Sequence, residues 1–180
     1  MTNDRRKRET VIDRRFGFDV MLVDVPLKEV RGEEVPDVNA NDLRTAVLAG
    51  LTTKPGLLSG AEVRFVRLWM EKTTTDFGED LGVTHGAVLK WEKKGQEATG
   101  MNRATEYRLR LLLLTSLPEE VQERVLFAGR QEGPPQHPGR MHLLSLIEDL
   151  WREMSTERRE APLRIPPELV AQQSLQKLRM

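Results

Sequence analysis

The sequence predicts a mainly α protein: a five-helix domain between a small N-terminal α+β module and a helical C-terminal extension. Between residues 57 and 128, five segments place apolar residues at helical spacing, and most of them begin at a capping residue. A short run before them alternates and clusters apolar residues, as a strand does. One more amphipathic segment follows residue 139.

The composition excludes several classes of function. The chain has 180 residues, no cysteine and three histidines, so it offers no disulfide, no thiolate nucleophile and no histidine cluster for a metal ion. No apolar run approaches the roughly 18 residues that span a bilayer. We therefore expect a cytoplasmic protein without metal, cofactor or membrane contact. Because 28 basic residues balance 28 acidic ones, any surface for nucleic acid must be local.

The first 56 residues divide into an arm and a module. Residues 1–15 are polar and mixed in charge, which predicts a mobile arm. The small module, residues 16–56, contains an apolar strand over 16–25 and a possible return strand over 28–36 around a glycine. A helix over 39–51, with asparagine as its cap, completes the module.

The helical domain, residues 57–128, contains five predicted helices. The first begins with a capping box, Ser59-x-x-Glu62. The fourth is apolar around most of its circumference from Leu109 to Leu114, so it must be covered on more than one side. The five helices are predicted over residues 59–70, 73–81, 84–93, 102–116 and 118–128.

The C-terminal third is predicted as a linker and a helical extension. Residues 129–139 are rich in Gly and Pro, which is typical of a linker. The extension, residues 140–180, contains an amphipathic helix over 141–154 and a last weak helix near its end. Its Leu143–Met154 stripe and the apolar fourth helix of the preceding domain predict a homodimer, since one of them should face a partner.

The second and third helices of the domain form a tight corner. Phe77 and Leu81 give the second helix an apolar stripe, and Gly82 permits a left-handed bend at its end. Gly78 lies inside that helix, where glycine costs about 1 kcal/mol relative to alanine, so a close approach of the next helix is expected there. Two helices that cross steeply around such a turn are typical of a helix-turn-helix motif.

The third helix has the outward face of a DNA recognition helix. Ala87, Val88 and Trp91 fall on the inward arc, whereas the outward arc is small at its start and basic further along. A recognition helix needs small residues against base edges near its start and cations against phosphates beyond. The candidate DNA-contacting residues are Thr74, Thr84, His85, Gly86, Leu89, Lys90, Lys93 and Lys94.

A structural interpretation accounts for the same residues. Gly82 and the small residues would build a helical corner, the lysines would form a solvated face, and Trp91 would belong to the core. The combination of turn, small start and basic end favours DNA binding.

The segment KPGLLSGAEVRFVRLWMEKTTTDFGEDLGVTHGAVLKWEKKGQ, residues 54–96, resembles the Xre-type, lambda-repressor-like helix-turn-helix of the MqsA (YgiT-type) antitoxins. The resemblance extends over about residues 43–114 and rests on K-P-G, on L-S-G-x-E-V-R-F and on L-G-V followed by W-E. It implies that the protein is a homodimer and that the helix over 84–93 contacts the bases of operator DNA. In that family an N-terminal zinc module holds the toxin.

Two departures from the family limit what the resemblance implies. Gly86 stands where the family often has a polar side chain that reads bases, and Lys90 where it often has arginine. The segment VMLVDVPLKEVRGEEVPDV resembles a strand segment of the zinc module, but the cysteines are absent, so metal binding is not implied. The residues beyond Pro118 have no counterpart.

These observations predict a sequence-specific DNA-binding transcriptional regulator, most simply a repressor, whose partners are a double-stranded operator and a second copy of itself. A toxin protein is a further candidate partner. The alternative is a protein-binding antitoxin or adaptor in which the helix-turn-helix is mainly a dimerisation scaffold. An enzyme is not expected, because no nucleophile with a base, metal cluster or phosphate-binding loop is present.

Overall fold

The computed structural model describes residues 7–127 and 162–170, and over these residues the chain has an α/β fold. The strands are β1 (Arg8–Asp13), β2 (Val20–Val30), β3 (Glu33–Pro36) and β4 (Leu163–Ile165). The helices are α1 (Ala40–Thr53), α2 (Gly60–Trp69), α3 (Thr74–Leu81), α4 (His85–Glu92), α5 (Arg103–Ser116), α6 (Glu119–Phe127) and the single turn α7 (Pro167–Val170).

Strand β2 is the centre of a four-stranded mixed sheet. Strands β1 and β3 both pair with it antiparallel, and β4 pairs with it parallel, so that Leu163 lies opposite Val20. A two-residue turn of Arg31 and Gly32 joins β2 to β3, with φ angles of 55° and 84°. Positive φ at both positions matches the twist of a tight hairpin. The predicted return strand is therefore confirmed over residues 33–36, whereas residues 28–30 belong to β2.

The predicted mainly α fold, with a five-helix lambda-repressor-like domain, is wrong. The helices are accompanied by a four-stranded sheet at the N-terminal region, and α2–α6 do not form a clear five-helix bundle, because α1 packs against both α5 and α6. Two strands come from segments where none was expected. Residues 8–13, predicted to be part of a mobile arm, form β1, and residues 163–165, predicted to belong to a helical extension, form β4.

Both missed strands depend on pairing with β2. In β1 only Asp13 is buried, so its apolar pattern carries little strand signal. Strand β4 has three residues, of which Leu163 and Ile165 are buried. The linker predicted at 129–139 and the helix predicted at 141–154 lie outside the described residues.

Helix α1 lies at the centre of the core. All of residues 46–52 are buried, because α5, α6, α7 and β4 pack around the helix. The apolar side of α5 faces the same core: Leu109, Leu113 and Leu114 are all buried. The chain itself thus covers these leucines, which removes them as a reason to expect a partner. The core is continuous across the predicted boundary at residues 56 and 57.

A buried arginine on α5 closes the end of α1. The Arg110 guanidinium donates to the carbonyls of Lys54, at 2.8 Å, and Gly56, at 2.6 Å, and makes longer contacts of 3.4 Å to Leu51 and Thr52. These carbonyls belong to the last turn of α1 and to the Lys-Pro-Gly turn after it. A cation placed there satisfies the carbonyls that a helix end leaves unpaired.

Glu106 supplies the opposite charge. Its Oε1 accepts from Arg110 Nη2 at 2.8 Å and from the backbone N–H of Leu58 at 3.0 Å, and both charged side chains are under 5% exposed. A second ion pair lies beside the first: Lys54 Nζ donates to Glu62 at 2.7 and 2.9 Å. Glu62 also forms the predicted capping box with Ser59, which is confirmed. The α1–α2 connection is therefore held by charges on both sides.

We expect Arg110→Met to lower the free energy of unfolding by about 3–5 kcal/mol, because the buried Glu106 carboxylate and the α1 carbonyls would lose their cation. The matched control is Arg108→Met, an exposed arginine on the same helix, which should change stability by at most about 0.5 kcal/mol. Urea unfolding of the full chain measures both. Similar losses in the two variants would contradict this role for Arg110.

Candidate nucleic-acid interface

Helices α3 and α4 meet at the tight corner that the sequence predicted. Thr73 caps α3, and Gly82 ends it in the left-handed region, with φ of 70°. Thr84 caps α4, its side chain accepting from the backbone N–H of Ala87 at 3.3 Å. Two residues, Val83 and Thr84, therefore separate the glycine from the first turn of α4. The predicted bend and cap are confirmed.

Gly78 allows the start of α4 to lie against α3. A Cβ atom at this position would come within 2.8 Å of the carbonyl oxygen of Val83 and 3.3 Å of the backbone nitrogen of His85. Those are backbone atoms, which cannot move aside as the end of a side chain can. The close approach that the sequence predicted from this glycine is confirmed.

The other end of α4 is fixed against the start of α2. A Cβ at Gly60 would lie 2.2 Å from the carbonyl oxygen of Trp91. The backbone N–H of Ala61 donates to Gly95 at 2.6 Å, and that of Gly60 donates to Glu97 at 3.1 Å. Helix α2 thus satisfies unpaired N–H groups of its first turn with carbonyls just beyond α4.

A partly buried ion pair keeps the acidic residue of α4 away from its outward face. Arg67 on α2 binds Glu92 through two nitrogens, at 2.6 and 3.1 Å, and the two side chains are 12% and 10% exposed. The charges of α4 that remain exposed are Lys90, with Lys93 and Lys94 directly after the helix. The outward surface of α4 is therefore cationic, although the chain as a whole is neutral.

The structure brings seven of the eight predicted contact residues to one exposed surface. Val88 and Trp91 are buried beneath it, as predicted. Leu89 keeps 41% of its surface exposed, so its side chain is accessible to a partner. Thr74 is the exception, because it lies half-buried at the start of α3. The exposed members are Thr84, His85, Gly86, Leu89, Lys90, Lys93 and Lys94.

One cation beside this corner was not predicted. The guanidinium of Arg108, on α5, lies next to the turn, with Nη1 3.0 Å from the position that a Cβ of Gly82 would take. Arg108 follows the turn by more than twenty residues. The packing of α5 against α3 places Arg108 beside the turn. No local sequence pattern predicts that packing.

Comparison with protein-family models, with curated proteins and with solved structures found no match to this chain. Among the described helices, none is long and apolar enough to cross a membrane.

The same substitution at two glycines should change stability in opposite directions. Gly60→Ala should lower the free energy of unfolding by about 1–3 kcal/mol, because its Cβ would collide with the backbone at the end of α4. Gly86→Ala should raise it by up to about 1 kcal/mol, since the site is helical and its nearest neighbour, Thr84 Oγ1, is 3.8 Å away. Urea unfolding compares the two. A loss at Gly86 equal to that at Gly60 would contradict the packing described here.

Proposed function

We propose that the protein is a cytoplasmic, sequence-specific DNA-binding transcriptional regulator, most simply a repressor, which places α4 in the major groove. The observation that carries this proposal is the outward face of α4, where small or uncharged residues come first and lysines follow. An α-helix with its side chains is about 10–12 Å across. That diameter fits the roughly 12 Å width of the major groove.

The order of residues along α4 suits direct contact with bases. Gly86 has no side chain, so the backbone at the helix start has room to approach the base edges. His85 offers a ring nitrogen as a hydrogen-bond partner, and Leu89 offers an apolar contact for a thymine methyl group. Lys90 and Lys93 lie about one and two helical turns after Gly86, where phosphates border the groove.

Helix α3 contributes less than α4. Thr74 is a predicted contact residue at the start of α3, where backbone N–H groups attract anions. However, Asp76 in the same turn accepts a hydrogen bond from the Thr73 hydroxyl at 2.7 Å, and it is exposed. A phosphate at the start of α3 would face this carboxylate, so we assign the main contact to α4.

Replacing His85, Leu89, Lys90 and Lys93 together by alanine should abolish binding to duplex DNA selected from a random-sequence pool. All four side chains are exposed, so the melting temperature should stay within a few degrees of the parent. Fluorescence anisotropy at two salt concentrations measures the affinity. Of the single variants, Lys93→Ala should weaken binding to all sequences alike, and His85→Ala should cut the preference for selected DNA by about 1–3 kcal/mol.

Lys28→Ala is the matched control, because it removes an exposed lysine near the C-terminal end of β2, where its partner is Asp37. It should leave both affinity and salt dependence unchanged. Unaltered DNA affinity in the fourfold variant would mean that α4 does not bind DNA. The adaptor alternative, in which the helix pair is a scaffold for protein contacts, would then be preferred.

We further propose that the regulator binds as a homodimer. Two-fold symmetry would present two copies of α4 to half-sites about 34–36 Å apart, or a multiple of that distance. Light scattering at micromolar concentration should give the mass of two chains, and a mass of one chain would contradict this proposal. A toxin protein is a candidate partner only through the resemblance to antitoxins.

A further inference from the structure

The turn between β1 and β2 lies beside the end of α4. The side-chain amide of Gln96 donates to the backbone carbonyl of Gly17 at 2.5 Å, across 79 positions of sequence. Gln96 follows Lys93 and Lys94 within one turn of chain. The N-terminal sheet and the basic end of the proposed recognition helix are thus joined directly.

Three aromatic rings hold the β1–β2 turn in this position. Phe16 and Phe18 each pack edge-on against Phe65 of α2, with ring centroids 5.4 and 5.6 Å apart. Phe18 is buried. Because α2 also carries the end of α4 at Gly60 and Arg67, the turn and α4 share one rigid support.

The turn presents two arginines to solvent. The side chain of Arg14 is 76% exposed and that of Arg15 is 69% exposed. Arg15 binds Asp13, whose side chain is only 5% exposed. Burial by itself would raise the pKa of Asp13, but hydrogen bonds from the Arg15 side chain and backbone outweigh it, so the pKa lies below its ordinary value. The Asp13 carboxylate is therefore buried and ionised, and the guanidinium of Arg15 that binds it is exposed to solvent.

The Arg14 side chain makes fewer hydrogen bonds than that of Arg15. Among the described residues the Arg14 side chain has one partner, Asp19, to which Nε donates at 3.1 Å. Its two terminal nitrogens remain available to an incoming anion. The formal charges from Asp13 to Asp19 sum to zero, but the guanidinium groups are more exposed than the carboxylates, since Asp19 is 46% exposed. An anion that approaches the turn meets the cations first.

We propose that the β1–β2 turn binds a backbone phosphate of the same duplex that α4 binds, with Arg14 as the principal contact. This inference rests on the proposed DNA-binding function and extends its surface from one helix to the N-terminal sheet. A planar guanidinium with two available nitrogens binds a phosphate with two parallel hydrogen bonds. The contact is independent of base sequence, so it positions α4 and does not itself select the operator.

The test uses the full chain and a mixed-sequence duplex of about 40 base pairs as the probe, titrated at several salt concentrations. Arg14→Gln should weaken binding and reduce the slope of log K against log salt by about 0.9, the value for one lost phosphate contact. Asp19→Asn should do the opposite and strengthen binding, because it removes the carboxylate that competes for Arg14. Lys28→Gln is the control with an equal charge change on the same sheet, and it should alter neither quantity.

The outcomes separate this inference from the proposed function. If the fourfold α4 variant loses binding while Arg14→Gln keeps the parent slope, the turn is not part of the interface and only this inference fails. If Arg14→Gln matches Lys28→Gln, or Asp19→Asn weakens binding, the inference is likewise overturned. If the parent chain does not bind the duplex at all, the proposed function itself fails. Melting temperatures equal to that of the parent exclude unfolding as the cause of any loss.

Discussion

The buried Arg110 guanidinium is the constraint on which the arrangement of the helices depends. A charge with its side chain only 3% exposed is tolerated only when opposite charge and hydrogen-bond acceptors surround it. Here the acceptors come from the end of α1 and the turn after it, and the charge comes from Glu106. Three parts of the chain must therefore converge on one point. Helix α2 starts four residues after Gly56, so its position follows from the same convergence.

This constraint changes the meaning of the resemblance to antitoxin regulators. The K-P-G residues supply carbonyls to Arg110 and a lysine to Glu62, and the L-S-G-x-E residues build a capping box and a close contact with α4. These two sequence patterns thus consist of residues that the packing requires. They bear on how the corner is built, whereas the case for DNA binding depends on the outward face of α4.

Local patterns predicted the helices and one hairpin because their signals lie within a few residues of each other. Four predicted capping residues act as caps: the side chain of each accepts a hydrogen bond from a backbone N–H in the first turn of its helix. They are Asn39, Ser59, Thr73 and Thr84. The exposed face of α4 followed in the same way from helical spacing. Strands β1 and β4 were missed because pairing with β2, and not their own composition, makes them strands.

Local sequence patterns also fail to predict which distant segments lie around α4. Helical spacing places Lys90 and Lys93 outward, but nothing within their segment indicates that the β1–β2 turn lies beside the end of the helix. That juxtaposition requires the Gln96 contact, the aromatic cluster around Phe65, and a strand at residues 8–13 where an arm was expected. Residues 8–13, whose sequence predicts a mobile arm, therefore form the strand that supports the charged β1–β2 turn.

The continuous core links the C-terminal segment to α4 as well. Gly50 on α1 admits Ile165 so closely that a Cβ there would lie 2.6 Å from its terminal carbon. Strand β4 consequently packs on α1 just before the carbonyls that Arg110 holds. A displacement of β4 would expose the buried residues of α1 and β2, and it would loosen the helix end from which the α1–α2 connection starts. Because α2 fixes α4 through Gly60 and Arg67, the strand at residues 163–165 helps to position the proposed DNA-contacting face without touching it.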